Sequence, residues 1–245
     1  MWIANVGVVA YDAAFALQKR LVAERDAERI PEVLLLLEHP PVITLGRRGS
    51  RDDIYGDEAT LAAAGISVVE TNRGGLVTYH GPGQLVGYPI ARLRAIAGDA
   101  PTYVWRLEEA LIGTLAEFGI GARREPAHRG VFAAGGKIAA IGVAVTHGIT
   151  MHGFALNVEP DLAHFAFINP CGIGDLGVTS MERVLGHAPC PTDVRRALAF
   201  HFSTVFGREV VTPPPSFRVM LDAALIGVAT GSRPSRGNPS EIRLS

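Results

Sequence analysis

The sequence predicts an α+β fold of mixed β-sheets with flanking helices, and three observations carry that expectation. Short apolar runs of strand length, such as Val33–Leu37 and Val42–Leu45, are bounded by Pro, Gly and charged residues. Elsewhere apolar residues recur at helical spacing: Val104, Leu107, Leu111, Leu115 and Phe118 make one face that stops at Gly119. Strands and helices follow in mixed order with hairpin signals, instead of the regular strand-helix alternation of a doubly wound sheet. With 245 residues and 48% hydrophobic content the chain can bury one large core. Residues 1–230 are expected to form a single domain, and the Ser-, Arg-, Gly- and Pro-rich residues 231–245 a flexible tail.

Taken in order, Ile3–Val9 is apolar and β-branched enough for a strand. Asp12 is placed to cap a helix reaching about Arg29, with Phe15, Leu17, Leu21 and Val22 turned inward. Val33–Leu37, apolar throughout, suits a strand buried on both faces, and Val42–Leu45 a second that ends in the basic turn Gly46-Arg47-Arg48-Gly49. Arg47, Arg48 and Arg51 read either as solvated charges or as a local docking patch for an acidic partner. Asp57–Ala64 reads as a helix and Ile66–Glu70 as a strand. Gln84–Ile90 is a further strand, in which Pro89 suggests an edge or an end. Gly130–Ala134 and Lys137–Val145 are expected to form a hairpin about Gly135-Gly136. Thr150–Val158 is a strand and Thr192–Phe206 a helix with Val194, Leu198, Phe202 and Val205 inward.

A net charge of −1, from 23 basic and 24 acidic residues, argues against a general nucleic-acid binder. Two cysteines, Cys171 and Cys190, are too few for a disulfide framework, which points to a reducing, cytoplasmic setting. The opening Met1-Trp2-Ile3-Ala4-Asn5 lacks a basic n-region and no uninterrupted apolar stretch is long enough to span a bilayer, so no membrane association is expected. No Cys-x-x-Cys accompanies the histidines, and no metal is expected. His39, His128, His147, His164, His187 and His201 read as structural or surface residues, and Cys190 between two prolines as an ordinary thiol.

The stretch Arg73-Gly74-Gly75-Leu76-Val77-Thr78-Tyr79-His80-Gly81-Pro82-Gly83-Gln84 combines backbone freedom with a dense set of donors and acceptors, as binding loops do. Four more segments follow the same logic around it: Glu38-His39-Pro40-Pro41, Gly135-Gly136-Lys137-Ile138-Ala139-Ala140-Ile141-Gly142, His152-Gly153-Phe154-Ala155-Leu156-Asn157, and Asn169-Pro170-Cys171-Gly172-Ile173. In order and spacing, these five segments resemble the octanoyltransferases (lipoyl(octanoyl) transferases, the lipoate-protein ligase B family) over roughly Tyr11 to Phe206. The resemblance implies a fold similar to the biotin and lipoate protein ligase catalytic domain. It also implies a Cys/Lys dyad of Cys171 as acyl-thioester nucleophile and Lys137 as its activating partner. Arg73, Gly74, Gly75, Leu76, Val77, Thr78, Tyr79, His80, Ala140, Ile141, Gly142, Gly153, Phe154 and Ala155 are implied to line the acyl site, with His80 and His152 orienting or polarising the reacting groups. Ala140 departs from the serine common among relatives. The implied donor is octanoyl-acyl carrier protein. The implied acceptors are the lipoyl domains of 2-oxoacid dehydrogenase E2 subunits and the glycine cleavage H protein, served by a monomer without ATP or metal.

The chemistry is consistent with elementary acid–base behaviour. A free thiol of pKa about 8.5 is only a few per cent thiolate at neutral pH, so a neighbouring ammonium raises the reactive fraction. Backbone N–H groups near Cys171 and Gly172 are candidates for oxyanion stabilisation. Small residues such as Gly74, Gly75, Gly142, Gly153 and Ala155 are expected to leave room for an apolar tail. Two other readings stay open: an ATP-dependent lipoate or biotin ligase, which needs no nucleophilic cysteine, and a silent acyl-binding module on the same scaffold.

Overall fold

A computed structural model describes residues 1–169 and 177–230, with backbone alone for 226–230. Cys171 and the tail 231–245 lie outside the described residues. The main sheet orders β1 (Trp2–Val8), β2 (Val33–Glu38), β6 (Gln84–Ile90), β10 (Ile149–Asn157), β9 (Gly136–Thr146), β8 (His128–Ala133) and β7 (Ala122–Glu125) side by side, with the short β11 (Gly177–Val178) paired to β9. A smaller sheet orders β4 (Ser67–Glu70), β3 (Val42–Leu45) and β5 (Val77–His80). The helices are α1 (Tyr11–Asp26), α2 (Glu58–Ala63), α3 (Leu93–Ile96), α4 (Ala100–Ala116), α5 (Met181–Leu185), α6 (Pro191–Phe206) and α7 (Pro215–Thr230). Among the described residues no helix is long and apolar enough to cross a membrane.

The continuous apolar run of β2 is explained by burial on both faces. Leu34 and Leu36 pack with α4 and α6 through Leu107, Leu111, Leu198 and Phe202. Val33, Leu35 and Leu37 pack on the other face with α1 and α7 through Leu17, Leu21 and Phe217. Each such buried leucine is worth about 1.5–3 kcal/mol relative to exposure. A third cluster, with Ile43, Val77, Tyr79, Leu61 and Phe165, fills the space behind the small sheet.

The structure corrects several expectations. Asp12 does not cap α1: Ala10 occupies the cap with no side-chain bond, and Asp12 sits in the first turn, where a negative charge still suits the helix dipole. That helix ends at Asp26 rather than Arg29, and Glu28 takes φ 57°. The β8–β9 turn is one residue earlier than expected, at Ala134 (φ 47°) and Gly135 (φ 78°), two left-handed residues that suit a tight hairpin. Pro89 lies in the middle of the sheet: β6 pairs with β2 through Leu34↔Pro89 and with β10 on its other side. The tolerance is local, because β10 pairing is interrupted just there. The charged edge strand β7 and helix α7 carry no strong periodic signal and were not expected.

Candidate active site

The glycine-rich loop joins the two sheets. Its backbone takes hydrogen bonds from the turn after β3, with Gly46 N–H donating to Leu76 O, Arg47 N–H to Arg73 O and Arg48 N–H to Gly75 O. Gly74 N–H in turn donates to Val143 O on β9 at 2.9 Å. Between the loop, β9 and β10 lies a cavity of about 460 Å³, within the usual range of small-molecule sites.

Of the residues singled out in the sequence, Arg73, Gly74, Gly75, Leu76, Val77, Thr78, His80, Lys137, Ala140, Ile141, Gly142, His152, Gly153, Phe154 and Ala155 all line this cavity. Tyr79 does not. Alternation along β5 sends its ring into the third core cluster, where its hydroxyl meets His164 Nδ1 at 2.7 Å. Burial pushes that phenol up to about 12. Cys171 lies outside the described residues, but the chain on either side of its segment is placed. Asn169 N–H donates to Asp53 O, while Gly177 and Val178 pair with Gly136 and Lys137.

Lys137 is half-buried on the cavity wall, with Nζ 5.3 Å from the centroid of the Phe132 ring. Its carbonyl accepts Thr179 N–H at 3.0 Å, which ties it to the strand that follows the segment of Cys171. Arg73 is buried and held by Thr44. Nη2 donates to Thr44 O at 2.6 Å and to its hydroxyl at 2.9 Å, Nε to the same hydroxyl at 3.1 Å, and Nη1 to Gly74 O at 3.1 Å. A buried guanidinium spread over two backbone carbonyls and a hydroxyl fixes the loop and sets the local field.

Burial first, and then that field, hold the site histidines below their ordinary value. Burial lowers His152 to about 4, with Arg73 adding to the shift, and pushes His80 well below its ordinary value, with His39 and Arg73 adding to the effect. His80 Nδ1 donates to Gln84 Oε1 at 3.1 Å, because the Gln84 amide nitrogen is used by Tyr79 O and Asn157 Oδ1. Nε2 is therefore the acceptor nitrogen of His80. His152 Nε2 likewise donates to Asn72 Oδ1 at 2.7 Å.

Sequence reasoning missed the layer beneath. His39, read as structural or surface, is fully buried. Its Nδ1–H donates to Val9 O at 2.6 Å, so Nε2 accepts the Tyr88 hydroxyl at 2.7 Å. Tyr11 stacks on His80 at 6.2 Å between centroids and lines the cavity with Tyr88. His128, also assigned no role, and Arg129 line the cavity from β8. Only the placement of Glu38-His39-Pro40-Pro41 among the five segments hinted at His39. The glycines serve close approach more than open space. A Cβ on Gly153 would lie 2.2 Å from Gly87 O, and one on Gly142 3.0 Å from Gly74 O.

The fold belongs to a recognisable class. The chain superposes on lipoate-protein ligase A bound with ATP at TM-score 0.65 and 17% identity, covering 90% of this chain and 93% of that one. With the biotin protein ligase of Aquifex aeolicus in complex with biotin and ATP the TM-score is 0.50 at 13% identity, covering 84% and 69%. At such identities the likeness is one of fold. Residues 10–203 match the lipoyl protein ligase A/B catalytic domain, and the chain belongs to that family. It is 50% identical over 202 residues to the octanoyltransferase of Geobacter metallireducens, covering 82% of this chain and 92% of that protein.

Proposed function

We propose that this protein is an octanoyltransferase that carries the acyl group on Cys171. The observation that carries the reading is Lys137 on the wall of a glycine-walled cavity, its backbone paired with the strand that follows the segment of Cys171. The names of relatives at this level of identity support the same activity.

In the first half-reaction the Cys171 thiolate attacks the thioester carbonyl of octanoyl-acyl carrier protein. The bond from carbon to the pantetheine sulfur breaks, and that sulfur leaves with a proton from the Lys137 ammonium. In the second, a neutral lysine amine of a lipoyl domain attacks the acyl-Cys171. The amide C–N bond forms, the thiolate is released, and the amine proton returns to Lys137. The two steps balance without nucleotide or metal, since thioester exchange is nearly even and amide formation drives the second. Neutral His80 and His152 offer hydrogen bonds without competing for the proton. Leu76, Val77, Ile141 and Phe154 supply apolar surface for the tail.

The acceptors in this reading are the lipoyl domains of 2-oxoacid dehydrogenase E2 subunits and the glycine cleavage H protein, served by a monomeric cytoplasmic enzyme. The rim suits acidic partners. Arg47, Arg48, Arg51 and Arg129 are exposed, Arg48 and Arg129 line the cavity, and none makes an ion pair among the described residues. The test is octanoyl transfer from carrier protein to a lipoyl domain in the absence of nucleotide. Product without ATP is expected; product only after ATP addition would assign the chain to the ligases instead.

A further inference from the structure

A buried glutamine that sequence reasoning passed over holds the irregular point of the central sheet. β10 pairs with β6 through Phe154↔Gly87 at one end and reaches Ala91 and Arg92 at the other, where Thr150 N–H donates to Ala91 O and Ile149 bridges Arg92. Carried between these points, the register sets His152 opposite Pro89, at a position where an antiparallel pair exchanges both hydrogen bonds. Neither bond forms. Pro89 has no N–H, and its carbonyl is taken by the Thr150 hydroxyl at 2.7 Å. His152 stays paired with Val143 of β9 but takes φ 55°, a left-handed conformation rare for a non-glycine residue inside a strand. Its N–H turns to Gln18 Oε1 on α1 at 2.7 Å.

Gln18 is fully buried and does not border the cavity. What it holds does border it: the His152 ring, bonded to Asn72 and stacked on Phe15 at 5.4 Å, and then Gly153 pressed against β6. A strained residue persists when its surroundings over-determine it, and such points cluster at functional sites. We propose that Gln18 is a positioning residue of the transfer site: its amide oxygen fixes the left-handed backbone of His152 and so the wall formed by His152 and Gly153. This rests on the reading of the site as an octanoyltransferase. The charged and titratable groups facing His152 are Arg73 from the loop, Tyr88 from β6 and His80 from β5.

The experiment compares wild type, Gln18→Leu and Gln18→Glu in octanoyl transfer, after melting curves establish folding. Gln18→Leu removes the acceptor. Its kcat is expected to fall about tenfold or more, with KM for the carrier protein within about twofold, because the rim is untouched. Gln18→Glu keeps an acceptor and restores most of the rate at pH 8. Its carboxylate favours the imidazolium, so the acid limb of its profile moves up by about one pH unit. Gln18→Leu turnover within about twofold of wild type, or Gln18→Glu as slow as Gln18→Leu with the wild-type profile, would overturn the proposal. If Gln18→Leu does not fold, the Gln18→Glu profile decides alone. An inactive wild type would sink the functional reading instead. Histidine-labelled NMR then decides, because the His152 ring resonances must move in the Gln18 variants, and unmoved resonances refute the proposal.

Discussion

Lowering the pH should strip stability from this protein in a window set by His39. Burial takes His39 from 6.5 to about 4, and its bond to Val9 O opposes the shift only in part. The unfolded chain therefore binds a proton that the native state refuses, and stability is lost as pH falls from 6.5 towards 4. At 1.36 kcal/mol per unit the gap is worth about 3 kcal/mol, a large share of a typical domain's stability. His152 and His80 act with the same sign. The variant His39→Asn retains a donor towards Val9 and loses the acceptor for the Tyr88 hydroxyl, which costs about 1–3 kcal/mol at neutral pH. Urea unfolding at intervals from pH 7.5 to 4 is expected to show wild type losing about 3 kcal/mol more than the variant across the window. Parallel curves would show that His39 titrates alike in both states and would refute the reasoning.

Gly153→Ala should cost about 1–3 kcal/mol and most of the transfer rate, because the new methyl meets Gly87 O and Pro89 Cδ and β6 must part from β10; melting temperature and kcat check it. Tyr79→Phe should cost about 1 kcal/mol through the lost bond to His164 while leaving kcat unchanged, which separates this residue from its neighbours in the loop. Arg48→Ala with Arg129→Ala should slow association with the carrier protein at low salt, and stopped-flow measurements should show the deficit fading as salt is raised.

Much of the fold was legible because its signals are local. The leucine run of β2 can only be satisfied between two layers, and the spacing from Leu107 to Leu115 gives α4 its face. The glycine-rich loop and the segments at Lys137 and His152 were readable as one site through resemblance, and fourteen of the residues so implied, besides Lys137, surround one cavity. What escaped depends on tertiary placement. Pro89 looked like an edge residue because nothing nearby in sequence shows that Thr150 and Gln18 satisfy the groups it strands. His39, Tyr11 and Gln18 are polar residues whose burial only the assembled sheet reveals. Tyr79 was grouped with its loop, although strand alternation turns it away from Thr78 and His80.

The proposed transfer requires an acyl group resting on sulfur beside Lys137. Mixing the protein with octanoyl-acyl carrier protein, without acceptor or nucleotide, and recording intact and peptide masses tests this directly. The expected result is one octanoyl adduct on Cys171, cleaved by hydroxylamine, formed more slowly by Lys137→Ala and absent as a thioester from Cys171→Ser. An unmodified chain that nonetheless turns over in the complete assay, or an adduct at Cys190, would contradict it.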